Sequence, residues 1–99
     1  MTVPDSRLAQ IKSWLYSQLS EDEARLHYIE LERETTSLIG SSGGWVAYFE
    51  KKLVSKYQQG DEFWLYDASR EEWGHLYGER GMALVRKGNV LTFILECRN

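Results

Sequence analysis

The chain has one cysteine, Cys97. A lone thiol cannot build an internal disulfide framework, so a reducing compartment is the simpler setting. Long apolar runs are missing too: none approaches the ~20 residues of a membrane-spanning helix. The opening MTVPDSRLAQ has no basic region followed by an apolar stretch, so no secretory signal is visible. These absences predict a soluble, cytoplasmic protein with no membrane partner. Basic charge is short as well, with 12 Lys and Arg against 15 Asp and Glu and a net charge of −3. The electrostatic footprint of a nucleic-acid binder is therefore missing, and no nucleic-acid partner is expected. Histidine is scarce. His27 and His75 have neither each other nor Cys97 at a ligand spacing such as i, i+4, so neither a metal nor a cofactor is predicted.

What remains is ordinary for a small folded unit. Its 99 residues predict one domain over 1–99, and 42% apolar content argues against disorder. The strongest local signal is a hairpin over Gly81–Cys97. Two strand-like runs flank Gly88-Asn89, and Gly88 can take a positive φ without a Cβ clash. With Gly88-Asn89 as the turn, Lys87 faces Val90. Arg86, Leu84 and Met82 then share a face with Leu91, Phe93 and Leu95, and this bulkier face is assigned to the helices. Glu62–Asp67 is apolar on both sides and reads as a strand inside the sheet, with Phe63 and Leu65 opposite to Trp64 and Tyr66.

Helical spacing of Leu8, Ile11, Leu15 and Leu19 predicts a helix from about 6 to 19 that lies on the sheet. Ser20 and Glu23 form a capping-box pattern opening a helix over 21–36, with a strand over Leu26–Arg33 as the alternative. Trp45, Tyr48, Phe49, Leu53 and Tyr57 make the stripe of a helix over 45–57. Ser69 and Glu72 cap a short helix over 70–77. The predicted fold is α+β: a small antiparallel sheet of three strands (62–67, 82–87, 90–97) packed against two or three helices. It becomes four strands if Leu26–Arg33 is extended.

Three features carry candidate chemistry. Four Trp, six Tyr and three Phe are a heavy aromatic load. Rings with a polar tip suit interfaces and pockets, although most are expected to fill the core. Trp64, Tyr66 and Trp73 are the aromatic site candidates, and the functional one should lie on whichever sheet face the helices leave open. Ser41, Ser42, Gly43 and Gly44 precede a helix and could cradle a phosphate, though they lack the Lys-Ser/Thr ending of a P-loop. Asp61, Glu62, Asp67, Glu71 and Glu72 bracket the Trp64 strand and could serve a carboxylate-based hydrolase, while strand ends and helix first turns attract acids anyway. Gly78-Glu79-Arg80-Gly81 has the spacing of an RNA-binding Gly-x-x-Gly loop, but Glu79 cancels Arg80 and a helix-to-strand connection explains it better.

No catalytic constellation emerges, so the expectation is a non-catalytic binding or adaptor protein that uses an aromatic surface toward a protein or ligand. A homodimer through an edge strand such as 90–97 fits the same expectation. A phosphate-bearing ligand at Ser41–Gly44 is the alternative.

Overall fold

A computed structural model describes residues 4–41 and 43–99. The elements run α1 (Asp5–Ser13), β1 (Leu15–Leu19), α2 (Glu21–Ile39), α3 (Trp45–Lys52), β2 (Glu62–Asp67), α4 (Arg70–Gly74), β3 (Glu79–Arg86) and β4 (Asn89–Arg98). The sheet is an antiparallel meander in the order β1-β2-β3-β4. The α+β class holds, and β2 is interior to the sheet as its two apolar faces require.

The fourth strand is not where the sequence suggested. Leu26–Arg33 lies within α2, whose start is a full capping box: Ser20 Oγ accepts from the Glu23 amide, and Glu23 accepts from the Ser20 amide. The helix expected over 6–19 instead stops at Ser13, and Leu15–Leu19 becomes an edge strand. Ser13 Oγ donates to the Gln10 carbonyl, diverting an acceptor of the last turn. The Asp67 amide then donates to the Trp14 carbonyl and draws the chain into the sheet. Leu15 and Leu19 misled because a bulge at Tyr16 lets residues four apart meet different cores, Leu15 opposite Tyr66 and Leu19 opposite Phe63.

Two further helices are shorter than their stripes. Helix α3 ends at Lys52 and gives way to a 3₁₀ turn over Val54–Lys56, so that Tyr57 stacks on Phe63 at 5.4 Å. Helix α4 ends at Gly74.

The hairpin is present with a different turn. Lys87 (φ 51°) and Gly88 (φ 80°) are its two central residues and Arg86 pairs with Asn89. Two successive positive φ values define a type I′ turn, whose hand matches the twist of the strands. The shift, together with a bulge between Leu84 and Val85, moves Phe93 opposite Ala83 and Ile94 opposite Met82. Phe93 and Leu95 therefore do not share a face with Leu84 and Met82, as the expected register had it.

Neither sheet face is left bare. On one, Phe63, Met82, Leu84 and Ile94 are fully or almost fully buried with Ala24 and Tyr28 of α2 and Phe49 of α3. On the other, Tyr66, Ala83, Val85 and Val90 are buried with Ile11 of α1, and Trp14, Trp64 and Phe93 pack around them. Aromatic rings account for much of this: Tyr28 lies 5.1 Å from Phe49 and 6.1 Å from Trp45. Among the described residues no helix is long and apolar enough to cross a membrane.

Candidate functional site

The sheet face under α1 leads to a concavity. Helix α1 packs over Tyr66 and Phe93, and the α4–β3 connection faces it across a gap. Between them lies a cleft of about 430 Å³. Arg7, Gln10 and Trp14 line it from α1, Glu72, Leu76 and Tyr77 from α4 and the connection, and Glu79 and Arg98 from the strand ends.

The floor is a buried polar cluster. Glu79 is only 5% exposed. Its Oε2 accepts from Arg7 at 2.6 Å and from the Tyr66 hydroxyl at 3.1 Å. Both donors belong to the sheet and to the helix that covers it, so the carboxylate is fixed in position. Arg7 is stabilised as a cation by this hydrogen bond above all, against the opposing effect of burial, which holds its pKa above the usual arginine value. Its guanidinium also stands 5.2 Å over the Phe93 ring. Burial, followed by the charge of Glu79, raises the Tyr66 phenol, so Tyr66 remains a protonated donor. Gly81 makes room for this arrangement: a Cβ there would lie 1.9 Å from the Ile94 carbonyl oxygen and 2.9 Å from the Tyr66 ring.

The rim is apolar and exposed. Leu76 and Tyr77 are 72% and 73% exposed, and Leu76 sits at φ 64°. A leucine in the left-handed region costs roughly 1–2 kcal/mol, so the neighbouring structure must hold it there. Asn99 does so. Its Oδ1 accepts from the Gly78 amide at 2.8 Å and its Nδ2 donates to the Trp73 carbonyl at 2.6 Å, clamping both ends of the connection. Behind it, Trp73 Nε1 donates to Asp67 at 2.6 Å, and the Trp73 ring lies so close over Gly78 that a Cβ there would come within 2.1 Å.

The sequence candidates fall around this cleft unevenly. Tyr66 is buried and contributes its hydroxyl to the floor. Trp73 is half-buried and backs the rim. Trp64 shares the Tyr66 face, half-buried, with its Nε1 donating to Glu62. The open sheet face on which one of Trp64 and Tyr66 was expected does not exist, because α1 covers it.

Ser41, Gly43 and Gly44 lie far along the chain, at the start of α3, and Ser42 is outside the described residues. Glu32 Oε1 already accepts from the Val46 amide at 3.0 Å, so an anion at this helix start would meet a carboxylate. Asp61 is engaged by Arg86, Glu62 by Trp64 and Asp67 by Trp73. Of the five acids bracketing the Trp64 strand, Glu72 alone lines the cleft. Strand β4 is an outer strand, as pairing with a twin requires, but two bulges interrupt its ladder with β3.

Sequence reasoning did not single out Arg7, Trp14, Leu76, Glu79 or Arg98, which line the cleft. Arg7 and Glu79 are 72 residues apart, and nothing local ties them. No protein-family model matches the chain, and no curated protein or solved structure matches it.

Proposed function

We propose that the chain is a non-catalytic recognition domain, binding its partner or ligand in the cleft between α1 and the α4–β3 connection. One observation carries this reading. Leu76 and Tyr77 expose their apolar side chains beside a concavity on a connection fixed at both ends, with Leu76 held at an unfavourable φ. Backbone strain that the surroundings enforce concentrates at binding and switching positions. Paired with a half-buried tryptophan, Trp14, such a rim supplies rigid anchors that lose little side-chain entropy on binding. Trp73 and Tyr66 of the aromatic candidates act here as support, one behind the rim and one below the floor.

A fragment and short-peptide screen by chemical-shift mapping tests it. Binders should perturb the amides of Trp14 and of Leu76–Gly78, and Tyr77→Ser should weaken them about tenfold without lowering Tm by more than a few degrees. Hits scattered over α2 and α3, or indifferent to Tyr77→Ser, would contradict the reading.

A further inference from the structure

Glu79 and Arg98 stand directly opposite each other at the end of the β3–β4 ladder. Cross-strand partners have Cβ atoms about 4.5–5.5 Å apart, and an acid and a base in that position ordinarily pair. Here they do not. Arg7 reaches over from α1 and takes Glu79 Oε2, together with Tyr66. Arg98 is left lining the cleft, its guanidinium with no hydrogen bond or ion pair to any described residue. Glu79 Oε1 receives no hydrogen bond from a described residue either, and no buried side-chain oxygen or nitrogen among them lacks a partner. Oε1 of an otherwise buried carboxylate is therefore not fully buried, on a residue that lines the cleft.

The cleft thus presents an acceptor and a cationic donor side by side, with Glu72 as a second acid on the wall and Trp14, Leu76 and Tyr77 as an apolar surround. Its volume of about 430 Å³ lies in the small-molecule range. We propose that it takes a zwitterionic α-amino acid with an apolar side chain, its ammonium on Glu79 Oε1 and its carboxylate on Arg98. This rests on the reading of the cleft as the recognition site and adds the ligand class. The ammonium and carboxylate of an α-amino acid are attached to one carbon, which matches two opposed groups on adjacent strands. A peptide interior carries neither charge. A carboxylate fixed by Arg7 and Tyr66 beforehand needs no reordering when the ammonium arrives.

The test uses three probes of one shape on the intact protein, by chemical-shift titration at neutral pH: L-phenylalanine, phenethylamine, which lacks the carboxylate, and 3-phenylpropionate, which lacks the ammonium. L-Phenylalanine should bind at least about tenfold more tightly than either half, since each loses a charge-assisted hydrogen bond. Arg98→Gln should weaken L-phenylalanine and 3-phenylpropionate and leave phenethylamine unchanged. Glu72→Gln should weaken the two amines and spare 3-phenylpropionate. Equal affinity for all three, with shifts at Trp14 and Tyr77, overturns the zwitterion and leaves the cleft standing. No shift for L-phenylalanine up to about 10 mM also overturns the zwitterion, and the cleft then depends on the Tyr77→Ser experiment alone.

Discussion

Glu79→Ala is the perturbation whose cost can be worked most fully from the structure. The change removes the carboxylate that holds Arg7 and Tyr66 together. Breaking one partner of a buried ion pair costs about 3–5 kcal/mol, because the other charge is left desolvated. The Arg7 side chain is 23% exposed and can turn to water, which pulls the figure to the lower end. The Tyr66 hydroxyl cannot, since Tyr66 is 1% exposed, and stranding it adds about 1 kcal/mol. We expect a total of about 4 kcal/mol, or roughly 16–32 °C in Tm for a chain of this size.

Urea unfolding of a double-mutant cycle separates the parts. Tyr66→Phe alone should cost about 1 kcal/mol, because Glu79 Oε2 keeps Arg7. Made on top of Glu79→Ala, the same change should recover about 1 kcal/mol, since it removes the stranded hydroxyl. The coupling is therefore about 2 kcal/mol. Additivity within ~0.3 kcal/mol, or a Glu79→Ala cost under ~1 kcal/mol, would refute the picture of a fixed, buried floor.

Other substitutions test other parts of the account. Leu76→Gly should raise stability by about 1 kcal/mol in thermal unfolding, by relieving the left-handed leucine, while weakening cleft binders. Gly81→Ala should cost more than ~3 kcal/mol or prevent folding, because the obstacle 1.9 Å from the new Cβ is backbone. Ser20→Ala should cost about 1 kcal/mol through loss of the α2 cap, read from urea midpoints. Stability should also fall on acidification. The Arg86 hydrogen bond, foremost, holds the Asp61 carboxyl below its ordinary range, so its contribution is present above the unfolded-state pKa and lost as pH drops through the folded one. Asp61→Asn should flatten the pH profile of Tm in that acid window and leave the neutral-to-basic limb unchanged.

Much of the fold was legible because it is written locally. The capping box at Ser20, the two-faced run Glu62–Asp67 and the glycine-bearing hairpin each signal their element within a few residues. Leu15–Leu19 was misread because leucines four apart satisfy a helical stripe, and nothing local announces the bulge at Tyr16 that lets them serve two cores. The hairpin slipped by a residue because two turns could share Gly88, and only the positive φ of Lys87 selects between them. Tyr66 and Trp73 were singled out for their ring chemistry and do adjoin the cleft, yet the groups that shape it were invisible. Arg7 reaches Glu79 across 72 residues, Asn99 clamps the Trp73–Gly78 connection from beyond the end of β4, and α1 closes the face that was expected to be open.

Backbone ¹⁵N relaxation across residues 73–81 is the most direct test that this recognition edge is built in advance. Asn99 holds the Trp73 carbonyl and the Gly78 amide at once, so order parameters at Leu76 and Tyr77 should match those of β3, near ~0.85. Values below ~0.6 at these two residues, with the flanking strand rigid, would mean that Leu76 and Tyr77 are loose surface side chains and that no preformed site exists.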